Sequence, residues 1–255
     1  MQTNHQTPAL SLRGVSKHFG GVRAVNNVTT DIAYGERRLF IGTNGAGKTT
    51  LFNLIAGDLP VSAGSIQLFG KDVTNMPTRK RVKLGMRRTY QTSALFDGLT
   101  VRQNFYLALL GEKKTGSHLN MLVHHRGNPG FEEKIQETAK TVGLEAKLDE
   151  DVSALSHGER RQLEFGLAII TDPQMLLFDE PAAGLSAEER KMMLQMIQSL
   201  SRDITIVMIE HDIDLAFAIA DYVVVMFDGE VFAEGTVDEI RKNEAVQNLG
   251  EAAAT

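Results

Sequence analysis

The chain contains no cysteine. Disulfides, iron–sulfur ligation, Cys-type zinc sites and a thiol nucleophile are thereby excluded. No apolar run approaches the ~18 residues that a membrane-spanning helix needs; the best candidates, Ile204–Ile209 and Val223–Phe227, are strand-sized. The opening stretch Met1–Arg13 is polar and lacks the basic-then-apolar order of a signal peptide. No internal repeat and no low-complexity segment is visible. These absences predict a soluble, cytoplasmic protein that serves any membrane process by docking onto something else.

Net charge is small, −5 over 255 residues, but it is unevenly spread. Residues 1–130 carry +11 and residues 131–255 carry −16. Such a split raises the question of a basic arm for nucleic acid or membrane beside an acidic domain. With 42% hydrophobic residues there is ample material for a packed core.

Apolar periodicity divides the chain into short segments. Leu10–Leu12, Val25–Ile32, Arg38–Ile41 and Ser65–Phe69 read as strands, with turns at Gly20-Gly21, Tyr34-Gly35 and Gly70-Lys71-Asp72. Helical patterns follow at Lys48–Ala56, closed by Gly57, and at Val101–Leu110 behind Thr100 as N-cap. Two more run over Phe131–Val142 and Glu159–Ile170. In the last third, strands at Met175–Phe178, Ile204–Ile209 and Val223–Phe227 alternate with helices at Ala187–Leu200 and Leu215–Ala220. Fully apolar strands alternating with helices predict a parallel sheet covered on both faces. The helical stretch 92–165 interrupts that alternation and reads as an inserted subdomain. The segment 111–130 reads as an irregular excursion.

Gly42-Thr43-Asn44-Gly45-Ala46-Gly47-Lys48-Thr49 matches G-x-x-x-x-G-K-[ST] between a predicted strand and a predicted helix. Glycines let successive N–H groups point at phosphate oxygens, and the helix N-terminus adds favourable partial charge. Lys48 can reach the β- and γ-phosphates, and the Thr49 hydroxyl, next to Thr50, can ligate Mg²⁺. Met175–Glu180 is an apolar strand ending in two carboxylates; Asp179 suits a Mg²⁺ shell and Glu180 suits a base orienting attacking water. Leu155-Ser156-His157-Gly158-Glu159 precedes an amphipathic helix. It reads both as a capping box and as a second anion site. Met193, Met196, Ile197 and Leu200 keep helical core spacing, and His124-His125 reads as surface.

The order and spacing of Gly42–Thr49, Gln91, Leu155–Glu159, Asp179-Glu180 and His211 resemble an ABC-type ATPase subunit from about Leu10 to about Ile240. The resemblance implies an α/β phosphate-loop NTPase core: a mostly parallel sheet plus an N-terminal antiparallel β subdomain. Residues 1–255 would form one nucleotide-binding domain, with 1–91 and 166–255 as core and 92–165 as the helical subdomain. It implies ATP and Mg²⁺, bound between the phosphate loop of one subunit and Ser156, His157, Gly158 and Glu159 of a second subunit paired head to tail. Phe19 would stack on adenine. Gln91 would sit near Mg²⁺ and the water and link core to helical subdomain, and His211 would contact the γ-phosphate. His157 stands where such signatures most often carry glycine, and Ser186 where they often carry Asp.

Within that family Phe19–Val25, Arg87–Gln91, Leu95–Val101 and Glu180–Leu185 resemble ATPase subunits of high-affinity branched-chain amino acid importers. Related importers move urea, amides or aromatic acids. Such a subunit would lie on the inner face of the membrane through integral-membrane permease subunits, with an extracytoplasmic solute-binding protein as indirect partner. The alternative is a non-transport ABC ATPase such as a cluster-assembly factor. Under either reading Lys48 from the basic half and Asp179, Glu180 and His211 from the acidic half serve one nucleotide, so both halves share one sheet. A nucleic-acid partner is not expected. The basic stretch 71–88 reads as surface near a docking site.

Overall fold

A computed structural model describes residues 7–89, 95–112 and 129–252. Gln91, His124 and His125 lie outside the described residues, as does most of the 111–130 excursion. The chain divides into two compact units, one of residues 1–88, 174–180 and 200–255, the other of residues 89–173 and 181–199.

The first unit opens with the long strands β1 (Leu10–Phe19) and β2 (Val22–Ile32). They pair antiparallel, and β1 also pairs with β4 (Ala63–Leu68), which meets the short β5 (Lys71–Asp72). The resulting four-stranded sheet has the order β2-β1-β4-β5. The second sheet is built on β3 (Arg37–Gly42), β6 (Met86–Arg88), β7 (Met175–Asp179), β8 (Thr205–Ile209), β9 (Tyr222–Phe227) and β10 (Glu230–Thr236). Its order is β10-β9-β3-β8-β7-β6, and every pair is parallel except β10 with β9. β7 and β8 are buried at every residue, as the unbroken apolar runs predict.

The helix α1 (Lys48–Ala56) ends at Gly57, whose φ of 82° places it in the left-handed region that closes helices. One core cluster takes side chains from both sheets and from α1, among them Leu10, Val25 and Ile66 with Phe40, Leu177, Val207, Leu51 and Phe52. The short helix α2 (Thr78–Val82) carries the first correction to the sequence reading. Arg81, in the basic stretch 71–88 expected at the surface, is 1% exposed. Its guanidinium donates to the carbonyls of Leu54 and Ile55 at the end of α1 and to those of Met76 and Thr74. A cation there satisfies carbonyls that the end of a helix leaves unpaired. Burial pushes its pKa down to about 10.

The second unit is helical: α3 (Val101–Glu112), α4 (Pro129–Thr141), α5 (His157–Ile169) and α6 (Ala187–Ser199). Thr100 caps α3 reciprocally with Gln103. Phe105 of α3 lies so close to Gly166 of α5 that a Cβ there would stand 2.7 Å from its ring. Met193, Met196 and Ile197 of α6 are buried, as their spacing predicts. The helix α7 (Ile213–Phe217) and the C-terminal α8 (Val237–Lys242) and α9 (Glu244–Ala252) complete the first unit. Among the described residues no helix is long and apolar enough to cross a membrane.

Replacing Arg81 by Met strands four carbonyls at once, so R81M is expected to cost about 3 kcal/mol or more. Chemical denaturation of the two proteins side by side checks this; an unchanged midpoint would show that the carbonyls find other partners.

Candidate nucleotide site

Three parallel neighbours end at the same level. Phe40 of β3 is paired with Ile209 of β8, and Ile209 with Asp179 of β7. The residues just beyond these strand ends therefore gather along one edge of the sheet, where open α/β sheets bind ligands. From β3 comes the loop 42–47, from β7 comes Glu180, and from β8 come Glu210 and His211.

The loop requires glycine at two close approaches. A Cβ on Gly42 (φ 148°) would meet the Met226 carbonyl oxygen at 2.1 Å, and one on Gly47 (φ 92°) would meet that of Ala24 at 2.2 Å. Gly47 leads into α1 with no side chain capping the helix. The first-turn N–H groups are thus left for a ligand, and an anion is the group they favour. Lys48 folds back, its Nζ donating to the carbonyls of Gly42 at 2.7 Å and Thr43 at 2.9 Å. Burial pulls its pKa below the ordinary lysine value, against the opposing pull of Glu180 and Asp179.

Glu180 stands in the left-handed region with φ 53°, a conformation that costs a side-chain-bearing residue ~1 kcal/mol or more. Its N–H donates to the Ile209 carbonyl at 2.9 Å. Its Oε1 lies 2.9 Å from Nε2 of His211. Beneath His211, the buried Glu210 accepts from the His211 N–H at 2.8 Å, and Asp212 caps α7 through the Leu215 N–H. Sequence reasoning passed over Glu210. A carboxylate closing an apolar strand was its only signal.

Asp179 is 4% exposed. Its Oδ2 accepts from Arg88 at 2.8 Å, while its Oδ1 is buried with no hydrogen-bond partner among the described residues. Burial pushes its pKa up, and the Arg88 guanidinium opposes that. Arg88 is a second correction: its side chain is buried, although the basic run was read as surface. It ends an edge strand of the sheet, where distant acceptors enclose its guanidinium.

A cavity of about 190 Å³ opens against residues 44–50 together with Ala24, Glu180 and His211. Asn44, Gly45, Ala46, Gly47, Lys48, Thr49 and Thr50 thus share one concavity with the two groups predicted from distant parts of the chain. Phe19 is not among the residues lining it. That ring is half exposed at the end of β1, with the Lys17 ammonium 5.2 Å above it.

The predicted signature lies in the second unit. Ser156 and Glu159 form the capping box, the Ser156 N–H donating to Glu159 Oε2 at 2.8 Å and the Glu159 N–H to Ser156 Oγ at 3.3 Å. Lys147 pairs with Glu159 at 2.8 Å and helps hold its carboxyl below the usual range. Ser186 makes the equivalent exchange with Glu189 ahead of α6. Gly158 is packed against that Glu189 carboxylate so closely that a Cβ would stand 2.0 Å from its Oε1.

The family described as ABC transporter matches residues 25–183. The chain is 35% identical over 252 residues to the high-affinity branched-chain amino acid transport ATP-binding protein LivG of Escherichia coli K12, covering 96% of this chain and 99% of that one. It is 33% identical over 256 residues to the corresponding BraF protein of Pseudomonas aeruginosa, again over 96% and 99%. A solved ATP-binding cassette of an ABC transporter in its ADP conformation superposes with a TM-score of 0.81 at 29% identity, over 96% of this chain and 99% of that chain.

Because a Cβ at position 47 meets backbone in a left-handed conformation, Gly47→Ala must displace either the loop or β2. G47A is expected to lower the thermal unfolding midpoint by several degrees. A midpoint within one degree of the parent's would show that the loop absorbs the methyl group.

Proposed function

The chain belongs to the family of ABC transporter ATP-binding proteins, and from that premise we propose that it hydrolyses ATP to power the import of branched-chain amino acids or a related small polar solute. The observation that carries the reading is a cavity bounded by the 44–50 loop, Glu180 and His211 together. The names of the relatives supply the solute class. Matches to branched-chain amino acid transport ATP-binding proteins along nearly the whole of both chains favour transport over a cluster-assembly role.

In this reading the N–H groups of Asn44 to Thr50 and the Lys48 ammonium bind the β- and γ-phosphates. Phe19 receives the adenine ring, and its exposure leaves a face open for stacking. Two of the described residues fit a divalent cation: Thr49 would supply a hydroxyl and Asp179 an Oδ1 that is buried and unpartnered among the described residues; Gln91, outside the described residues, would be the third ligand on the family resemblance. Bound Mg²⁺ would neutralise phosphate charge. Glu180 accepts a proton from the attacking water, and His211, 2.9 Å from that carboxylate, donates toward the γ-phosphate.

Ser156, His157, Gly158 and Glu159 serve the nucleotide held by a second ATP-binding subunit, identical or paralogous, paired head to tail. The domain is then one nucleotide-binding cassette whose helical unit carries the signature. ATP binds the closed pair more tightly than the open one, and that difference in affinity moves the permease subunits. The protein sits on the inner face of the membrane through those subunits, and an extracytoplasmic solute-binding protein is an indirect partner.

Glu180→Gln keeps the shape and removes the base, so turnover is expected to fall 10²-fold or more while ATP binding persists and an ATP-stabilised dimer accumulates. Steady-state phosphate release and light scattering with ATP read both, and near-normal turnover would sink the base assignment. Lys48→Ala is expected to weaken ATP binding tenfold or more, measured by fluorescence titration. Uptake of labelled leucine, urea or an aromatic acid by the complex in proteoliposomes decides among the solutes.

A further inference from the structure

The Arg88 guanidinium joins the buried carboxylate of Asp179 to the amide of Asn53 on the phosphate-loop helix and to the carboxylate of Asp58 just beyond it. Its Nη2 donates to Asp179 Oδ2 at 2.8 Å, and its Nη1 to Asn53 Oδ1 at 2.7 Å and Asp58 Oδ2 at 3.0 Å. Both members of the central pair are enclosed, with side chains 6% and 2% exposed. Asn53 lies on α1, four residues after Thr49, and Asp58 follows the Gly57 that ends that helix. A guanidinium fork has fixed N–H directions, so binding one oxygen of a carboxylate and a second element also sets the carboxylate's rotation. The arrangement has two consequences. One Asp179 oxygen is committed, and the other is buried with no partner among the described residues.

We propose that Arg88 is the positioning residue of the divalent-cation site: it selects Asp179 Oδ1 as the metal-facing oxygen and couples β7 to the helix that begins with Lys48 and Thr49. The inference rests on the reading of Asp179 as the cation's carboxylate. Arg88 touches neither nucleotide nor cation; it acts on the cation through Asp179, with Asn53 and Asp58 anchoring its guanidinium. A purely structural clamp would weaken all ligand binding together. A positioning clamp weakens the response to the cation selectively.

The separating variant is Arg88→Lys, which retains the charge but not the fork. The full-length protein is titrated with a fluorescent ATP analogue at a series of Mg²⁺ concentrations and in EDTA, and Mn²⁺ binding to the ADP-loaded protein is followed by electron paramagnetic resonance. The expected result is a rise of tenfold or more in the cation's apparent Kd, with nucleotide affinity in EDTA within twofold of the parent. Should R88K not fold, Asn53→Ala removes one anchor of the same guanidinium and is expected to shift the cation Kd about threefold in the same direction. Unchanged cation affinity, or equal losses with and without cation, would overturn the proposal. Asp179→Asn, run in parallel, tells the two failures apart. If D179N loses cation affinity while R88K keeps it, only the role of Arg88 falls; if D179N binds the cation like the parent, the metal reading falls and this inference with it.

Discussion

The site depends on the register of three parallel strands. β3, β8 and β7 are neighbours whose pairing brings Phe40, Ile209 and Asp179 level. A one-residue slip in either ladder would turn each buried side chain to the opposite face. It would also separate the phosphate loop from Glu180 and His211, which leave their strands within two residues of that level. Burial of every residue of β7 and β8 penalises such a slip heavily. Hydrophobic packing thus sets the position of charged groups that contribute little to stability themselves.

On that scaffold the local conformations are costly ones. Glu180 holds a positive φ, Gly42 and Gly47 lie where no side chain fits, and α1 starts without a side-chain cap. Of these, the uncapped start of α1 leaves first-turn N–H groups without a side-chain partner at the strand ends. The starts of α3, α5 and α8 contrast with this, each having a reciprocal cap from Thr or Ser with Gln or Glu, while the five-residue α2 shares the lack of a side-chain cap. The uncapped start of α1, which opens on the cavity, is where the anion belongs.

Buried cations tie the first unit together around α1. Arg81 closes the carbonyls at its end, and Arg88 joins its Asn53 to Asp179. Both lie in a run of basic residues that reads as solvated when only its composition is considered. Neighbours such as Arg79, Lys80 and Lys83 are indeed exposed. Charge counting along a chain cannot separate the two kinds, because burial of an arginine depends on acceptors supplied by distant segments. For Arg88 those acceptors come from 30, 35 and 91 residues away.

Most strands and helices were legible in apolar periodicity, and α1 matches its expected span, Lys48–Ala56 with Gly57 at its end. The edge strand β6 and the hairpin strand β10 were not. Three residues are too few for a periodic signal, and β10, buried on one side only, mixes Glu, Gly and Thr among its apolar residues. The phosphate loop, the paired carboxylates and the capping box could be read from sequence because each is local: a few consecutive residues contain the whole physical reason. Sequence alone determined which chemistry the chain carries. Only the tertiary structure decided which oxygen of Asp179 is committed, which arginines are buried, and that Glu180 and His211 meet, because those facts depend on pairing between strands far apart in the chain.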